Sequence, residues 1–514
     1  MVESNGGAIA PGRLDRILNG IERVGNRLPH PTLLFAYMGA GVLVVSALAA
    51  WAGLAATNPV DGARIEAVNL LSADGLRRIL TSAVSNFVEF PPLGTVLVAM
   101  LGIGIAERSG LLDALLRRLV EAAPNALLTY FVVFAGVLSS LGADSGYVVL
   151  IPLAALLFKA AGRHPLAGIA AAFAAVSAGF SANLLVGPLD AILAGLSTTA
   201  VQLVDPTYEV DAAGNWWFII VSTLLITVVA GFITDRVTEP RLTPADDPGV
   251  ITPVERPDAQ LERRGLRAAG FLTLAFLGLV LTAVIPESGI LRHPETGSVL
   301  RSPFISGIVV IIAVWAAIAG IAYGMGARTY RSGTDVVQGM ERTMETMAGY
   351  LVLMFFAAQF VAWFGWTHLG QILAILGAEG LKALDPGTAP LLIAFILLSA
   401  IINLFIGSAS AKWAIMAPVF VPMLYLLGIS PEATQMTYRI GDSISNIITP
   451  LMPYLAIVVA FAQQHDRRVG VGSLIAMMVP YSVALFLCWS ALLVLWIVFD
   501  LPLGPGASIS LPTP

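Results

Sequence analysis

The sequence predicts an all-α polytopic membrane protein with nine membrane spans and two re-entrant helical hairpins, arranged as an inverted-topology repeat with broken helices. Of its 514 residues, 57% are hydrophobic and 12% are charged, whereas soluble domains carry about 25% charged residues. The mean hydropathy is +0.84. A soluble fold could not bury this much apolar surface, so the composition indicates a lipid environment.

The N-terminal segment, residues 1–30, lacks the apolar core of a signal peptide. Leu14, Ile17, Leu18 and Ile21 recur at helical spacing, with arginines between them. This pattern predicts an amphipathic helix on the cytoplasmic leaflet. A helix packed on the protein's own loops is an equal alternative, because amphipathicity alone does not separate the two.

Nine apolar runs are each long enough to cross a bilayer, which takes about 20 residues. They lie near 31–54, 84–107, 165–202, 216–235, 268–287, 303–326, 348–366, 433–462 and 472–499. Two further stretches, 126–160 and 389–428, each read as two short apolar helices broken by a polar tip, at 141–146 and 406–413. The open backbone of such a tip finds no partner in lipid, so we expect re-entrant hairpins buried in protein.

These elements divide the chain into seven parts. They are the cytoplasmic N-terminus (1–30), the first span with an outer loop (31–83), a first repeat (84–235) with hairpin 126–160 and broken helix 165–202, a cytoplasmic loop (236–267), scaffold spans (268–347), a second repeat (348–499) with hairpin 389–428 and broken helix 433–462, and an external tail (500–514).

The distribution of Lys and Arg orients this plan. The loops predicted to be cytoplasmic contain Arg108, Arg117, Arg118, Lys159, Arg163, Arg236, Arg241, Arg256, Arg263, Arg264, Arg267, Arg328, Arg331, Arg342, Arg467 and Arg468. The loop 203–215 and the tail 500–514, predicted to be external, contain none. The first outer loop is the exception, with Arg64, Arg77 and Arg78. We therefore expect a multi-pass inner-membrane protein with a cytoplasmic N-terminus and an external C-terminus.

Each hairpin is followed by a span that contains a polar break. Pro188 and Pro450 each remove a backbone donor within such a span and force the helix to stop. Two hairpins that enter from opposite sides, each beside a broken helix, are typical of transporters with inverted repeats. Half-helix N-termini in such folds favour anions, and unwound carbonyls suit Na⁺.

Polar side chains recur at matching positions in the two repeats. Asn183 follows Ser145 by 38 residues, and Asn446 follows Ser410 by 36. The asparagine side chains could supply oxygens to Na⁺, with the serines facing them from the tips. The simpler alternative is that they satisfy local backbone groups, but a set matched in both repeats favours a site.

Five charged residues lie inside apolar segments, where charges are costly and usually functional: Asp144, Asp190, Lys412, Arg439 and Asp442. Arg439 and Asp442 share a helical face and are predicted to pair, or Arg439 could bind a substrate carboxylate. Asp190 has no evident local partner and is a candidate Na⁺ ligand or proton carrier. Asp144, beside the first tip, is a further candidate for ion coupling. Lys412 is expected to snorkel towards an interface.

Trp413 follows the second tip, where it could stack on an aromatic ring or anchor the helix at the membrane interface. The sequence contains no phosphate-binding loop, no metalloprotease motif and no nucleophile elbow. It also has no basic stripe for nucleic acid. We therefore expect neither an enzyme nor a nucleotide-driven pump, and transport would be passive or driven by an ion gradient. Gly320-x-x-x-Gly324 is expected to allow ordinary helix packing.

The tips and breaks resemble those of the p-aminobenzoyl-glutamate transporter (AbgT) family. The resembling stretches are 142–152, 181–190, 407–418 and 438–453. The resemblance implies a homodimer, coupling to Na⁺ or protons without another cofactor, and an aromatic carboxylate cargo such as p-aminobenzoyl-glutamate, p-aminobenzoate or sulfonamide-type antimetabolites, either imported or exported. It places the functional positions at Asp190, Ser410, Trp413, Pro431, Arg439 and Asp442.

Three alternatives remain at this stage. A carrier for another small carboxylate could share the same repeat plan. An ion channel would conduct without saturation. A membrane-embedded enzyme would need a paired nucleophile and base, and the sequence shows no such pair.

Overall fold

The protein, represented by a computed structural model, is described over residues 31–57, 62–141, 146–242, 258–299, 302–450, 452 and 454–511. Within these ranges the regular structure is helical, apart from a short antiparallel sheet of β1 (Ala55–Thr57) and β2 (Arg64–Glu66). The predicted amphipathic segment 1–30, the first hairpin tip at 142–145 and residues 243–257 of the predicted cytoplasmic loop lie outside the described residues.

Among the described residues, the first half of the chain forms nine helices. They are α1 (Pro31–Trp51), α2 (Ala73–Val88), α3 (Pro91–Ser109), α4 (Leu111–Glu121), α5 (Leu128–Leu138), α6 (Ile151–Ala160), α7 (Pro165–Ala178), α8 (Pro188–Val201) and α9 (Trp216–Ile233). Short 3₁₀ or π-helical turns adjoin several of them, at Asn125–Leu127, Ser139–Leu141, Gly146–Leu150, Thr234–Thr238 and Glu239–Arg241.

The second half adds eleven helices. They are α10 (Ala259–Val284), α11 (Pro303–Ser306), α12 (Ile308–Ala327), α13 (Gly333–Thr346), α14 (Ala348–Trp366), α15 (Leu369–Leu384), α16 (Thr388–Asn403), α17 (Ala409–Tyr425), α18 (Pro431–Asn446), α19 (Leu455–Gln463) and α20 (Val471–Val498).

Seven helical segments of the described chain are long and apolar enough to cross a membrane. They are 32–51, 73–109, 216–241, 259–284, 308–327, 348–366 and 471–498. The other two predicted spans are each divided, the first into α7 and α8 and the second into α18 and α19. The prediction of an all-α polytopic protein with broken helices is therefore confirmed, while the total of nine spans and the re-entrant placement of the hairpins stay predictions.

The region around Arg117 and Arg118, predicted as a loop, is a helix, and its cytoplasmic placement stays a prediction. It forms α4, which buries Leu111, Ala114, Leu116 and Val120, and the chain then turns by 113° into the first hairpin. Both arginines donate to the carboxylate of Glu262 on α10, at 2.7 and 2.8 Å. An amphipathic helix with this charge pairing fastens the start of the hairpin to α10.

The first halves of the two broken spans, α7 and α18, form the centre of the molecule, and every residue of both helices is buried. In α7 this follows from composition, because Ala and Gly let the hairpin helices approach closely. A Cβ on Gly168, for example, would stand 2.5 Å from the carbonyl oxygen of Ala154. In α18 the buried face is polar, so its side chains must find partners inside the protein.

Glycines on α3 and α12 allow these two helices to pack in near backbone contact. A Cβ on Gly320 would stand 2.6 Å from Cα of Ala106, and a Cβ on Gly102 would stand 2.0 Å from the carbonyl oxygen of Ala313. Gly324 instead faces the ring of Tyr330. The Gly320-x-x-x-Gly324 motif therefore serves packing within the chain, as expected.

Replacing Gly320 by Leu is expected to destabilise the protein by about 1–3 kcal/mol or more, because overpacking forces the two backbones apart. Gly270→Leu on α10 is the matched control, since a Cβ there meets nothing within 4 Å. Thermal unfolding in detergent can be followed by a thiol-reactive fluorophore at Cys488, the single cysteine, which is partly buried in α20. Equal unfolding midpoints for the two variants would contradict the packing described here.

Candidate functional site

In each repeat, one hydrogen bond ties the broken helix to the first arm of the hairpin, and the two bonds match. The Asn183 Nδ2 donates to Ser140 Oγ at 2.8 Å in the first repeat. In the second repeat, Asn403 Nδ2 donates to Asn446 Oδ1, also at 2.8 Å. Each contact spans 43 residues. The structure thus supplies a residue-level correspondence between repeats that the sequence shows only as a layout.

The oxygens of both predicted Na⁺-binding asparagines accept protein hydrogen bonds in this conformation. The Asn183 Oδ1 accepts from the backbone N–H groups of Leu184 and Leu185, at 2.8 and 3.2 Å. The Asn446 Oδ1 accepts from Asn403. An amide oxygen has two lone pairs, so Asn183 would have to exchange a donor for Na⁺, whereas Asn446 accepts one hydrogen bond and keeps a lone pair. The role of both asparagines in binding Na⁺ stays a prediction.

The guanidinium of Arg439 pairs with Asp190, so the predicted pairing of Arg439 with Asp442 is wrong. The Arg439 Nη1 donates to Asp190 Oδ1 at 2.6 Å and Nη2 donates to the Ser181 carbonyl at 2.8 Å. The two side chains are only 3% and 5% exposed. The other oxygen of Asp190 accepts the Gly187 N–H at 2.7 Å and thereby caps α8. This ion pair joins the first repeat to the second at their two broken helices.

The partner of Asp442 is Lys412. The prediction that Lys412 snorkels towards a membrane interface is wrong. Lys412 is fully buried, and its ammonium donates to Asp442 Oδ1 and to Asn403 Oδ1. The other carboxylate oxygen of Asp442 accepts from Asn446 Nδ2 at 3.2 Å. Because Asp442 is already engaged by an ammonium within its own repeat, Arg439 pairs with a carboxylate of the other repeat.

Asn403 is a residue of the site that sequence reasoning missed. It belongs to the central cluster, which we define as Asp190, Asn403, Lys412, Trp413, Tyr438, Arg439, Asp442 and Asn446. The Asn403 amide bridges Lys412, Asn446 and the Asp442 carbonyl. The available signal was a single amide at the end of α16, whose other residues are nearly all apolar. A buried amide in such a helix must be hydrogen-bonded. Because Asn403 lies just before the hairpin tip, its hydrogen-bond partners were to be expected on the neighbouring broken helix.

The indole of Trp413 is fully buried and contacts side chains of two other helices. It stacks on the ring of Tyr438, with centroids 4.5 Å apart and an angle of 28° between the ring planes. Its Nε1 donates to Ser197 Oγ on α8 at 3.0 Å. Trp413 therefore belongs to the central cluster, and its expected alternative role as an interface anchor is excluded.

The remaining predicted site residues lie apart from the ion pairs or outside the described chain. Ser410 lies in the first turn of α17, partly buried, with its Oγ 3.5 Å from that of Ser408. Pro431 is buried at the first position of α18, where a missing N–H leaves no bond unmade. Asp144 and Ser145 fall among the residues that are not described.

A cavity of about 730 Å³ borders α8 and is lined there by Ala191, Ala194 and Thr198. Its acidic lining residues are Asp205, Glu209, Asp211 and Glu432. In the loop after α8, a hydrogen bond from Tyr425 lowers the pKa of Asp205, and burial raises the pKa of Asp211. The described lining includes no Lys, Arg or His. The described part of the lining is therefore acidic, and Arg439 is not among its residues.

Comparisons with known proteins agree with this architecture. The profile of the AbgT putative transporter family matches residues 16–511. The p-aminobenzoyl-glutamate transport protein of Escherichia coli K12 is 38% identical over 494 residues, covering 96% of each chain.

Two solved structures are similar over nearly the whole fold. The Alcanivorax borkumensis YdaH transporter is 54% identical, with a TM-score of 0.89, covering 93% of this chain and all of that one. Neisseria gonorrhoeae MtrF, which is described with a class of antimetabolite efflux pumps, is 47% identical, also with a TM-score of 0.89, covering 96% of this chain and all of that one.

Removing one member of the pair that joins the repeats is expected to destabilise the protein more than removing both. Arg439→Ala or Asp190→Ala leaves a buried charge unpaired, which costs about 3–5 kcal/mol. The double variant removes both charges and should regain part of this loss. Thermal unfolding midpoints in detergent measure all three variants against the wild type.

Arg468→Ala provides the control, because Arg468 pairs with Asp466 on the surface and is 83% exposed. Such pairs add little to stability, so its midpoint should stay near that of the wild type. If Arg439→Ala also unfolds at the wild-type midpoint, Arg439 and Asp190 are not a buried pair.

Proposed function

Because this chain belongs to the AbgT putative transporter family, we propose that it is an ion-gradient-coupled secondary transporter of p-aminobenzoyl-glutamate, p-aminobenzoate or related antimetabolites such as sulfonamides. The transporter assignment comes from the family. The cargo is proposed from two relatives, a p-aminobenzoyl-glutamate transport protein and a member of a class of antimetabolite efflux pumps, together with the chemistry of the central cluster.

One observation carries the proposal for an anionic cargo. The Arg439 Nε is buried and has no hydrogen-bond partner among the described residues, although both Nη atoms are engaged. An unmade bond on a buried donor costs about 1–3 kcal/mol, so such a group usually has a function. A carboxylate fits it, because guanidinium and carboxylate groups form parallel hydrogen bonds.

The charge balance of the cluster supports the proposed coupling to an ion. In this conformation the positive charges of Arg439 and Lys412 are balanced by Asp190 and Asp442. A substrate carboxylate on Arg439 adds one negative charge, so that two carboxylates share one guanidinium and Asp190 is no longer fully paired. A buried carboxylate cannot remain charged and unpaired, so Asp190 would take up a proton or Na⁺ as the substrate binds. This exchange would link substrate and ion stoichiometrically.

The protein is a multi-pass membrane protein, as its family and its apolar helices show. For its setting we propose the inner membrane, a cytoplasmic N-terminus, an external C-terminus and a homodimeric assembly. The exposed apolar face of α10, with Phe271, Leu274 and Leu279 more than 60% exposed, is available to lipid or to a second subunit.

Flux in proteoliposomes tests the proposal. Labelled p-aminobenzoyl-glutamate and p-aminobenzoate are offered under a Na⁺ gradient, then a pH gradient, then neither. Saturable flux that one of the two gradients accelerates is expected. Flux that rises linearly with concentration would indicate a channel, and a panel of unlabelled carboxylates that competes better than p-aminobenzoate would indicate a different cargo.

Arg439→Lys gives a sharper test of the carboxylate site. It keeps the charge that pairs with Asp190 but replaces the fork of donors by a single ammonium. The loss of one bidentate contact predicts at least a tenfold fall in kcat/KM for p-aminobenzoate, since tenfold corresponds to about 1.4 kcal/mol. Wild-type flux in this variant would remove the guanidinium from the binding site.

A further inference from the structure

The aromatic face that a substrate ring would need is occupied by the protein itself. The ring of Tyr438 covers Trp413, and both side chains are fully buried. Tyr438 immediately precedes Arg439 in α18. One helix therefore carries both the ring on Trp413 and the guanidinium that is proposed to bind the carboxylate.

An aromatic carboxylate consists of a ring and a carboxylate, and Tyr438 and Asp190 already place these two groups in the site. Asp190 places a carboxylate on Arg439, and Tyr438 places a phenol ring on Trp413. A substrate ring could stack on Trp413 only if the Tyr438 ring moved away, and a substrate carboxylate would share Arg439 with Asp190. In this conformation Asp190 and Tyr438 therefore occupy Arg439 and Trp413, the two groups that are proposed to recognise the substrate.

The contacts on Tyr438 are of a kind that can exchange. Its hydroxyl donates to the Ala409 carbonyl at 2.6 Å, at the start of α17. The Lys412 ammonium lies 5.5 Å from its ring centroid. The indole of Trp413 is held separately, by Ser197 on α8. If the Tyr438 ring moves, the indole retains the hydrogen bond that fixes its position.

We propose that Tyr438 fills the aromatic subsite of this transporter in the conformation of this structure, and that the ring of an aromatic substrate displaces it from Trp413. This inference rests on the proposed function. Tyr438 then lowers the apparent affinity for the substrate, because only molecules in which its ring has left Trp413 can bind the substrate ring, and they are a fraction of the total. A stacked aromatic pair contributes about 0.5–1.5 kcal/mol beyond area burial, which corresponds to roughly two- to tenfold in affinity.

The test compares the inhibition of labelled p-aminobenzoyl-glutamate flux by two unlabelled competitors, p-aminobenzoate and glutamate. Tyr438→Leu removes the competing ring, so the inhibition constant of p-aminobenzoate should fall by about two- to tenfold. That of glutamate, which has carboxylates but no ring, should stay unchanged. Tyr438→Phe retains the ring, so its inhibition constant for p-aminobenzoate should remain above that of Tyr438→Leu.

Phe364→Leu is the matched control, because Phe364 is a buried ring that stacks on Phe360 within α14, at 5.7 Å and 21°. It should leave both inhibition constants at wild-type values. An unchanged or raised constant for p-aminobenzoate in Tyr438→Leu overturns the inference alone. Absence of saturable p-aminobenzoyl-glutamate flux in the wild type overturns the proposed function and the inference with it.

A second measurement needs no Tyr438→Leu protein. The wild type is labelled with 3-fluorotyrosine, and the ¹⁹F resonance of Tyr438 is identified by its loss in Tyr438→Phe. Saturating p-aminobenzoyl-glutamate should shift this resonance, while glutamate should not. A Tyr438 resonance that p-aminobenzoyl-glutamate leaves in place overturns the inference.

Discussion

The structure depends on the rule that a charge buried in a low-dielectric interior must be paired. Four charged side chains meet at the broken helices, and they form two ion pairs, Arg439 with Asp190 and Lys412 with Asp442. The second pair lies within one repeat. The first pair joins the two repeats. Since an unpaired buried charge costs several kcal/mol, neither repeat can move away from the other at this point unless a substrate or an ion supplies a replacement partner.

The architecture could be predicted largely from the sequence, because membrane insertion constrains local features strongly. Apolar runs of sufficient length predicted the spans, and the prolines near 188 and 450 predicted where two of them break. The structure has α8 beginning at Pro188, with Gly187 capped by Asp190. These predictions succeed because a span and its interruption are properties of about twenty consecutive residues.

The pairing within the site could not be predicted in the same way. Helical spacing allows Arg439 to meet Asp442, and no local rule favours Asp190, which lies 249 residues away. The choice is made by Lys412, which reaches Asp442 from the hairpin. Its burial was missed because a lysine near a helix end usually snorkels. Partner choice thus depends on how the two repeats are packed together, which sequence spacing does not encode.

We propose that a substrate carboxylate binds Arg439 in exchange for Asp190. A crystal structure with 4-amino-3-bromobenzoate tests this exchange, because anomalous scattering from bromine locates the ring. We expect a bromine peak within the central cluster, a carboxylate in hydrogen-bonding distance of Arg439 Nε, and an Asp190 that has moved away from the guanidinium. A peak elsewhere, with the Arg439–Asp190 pair intact, would contradict it.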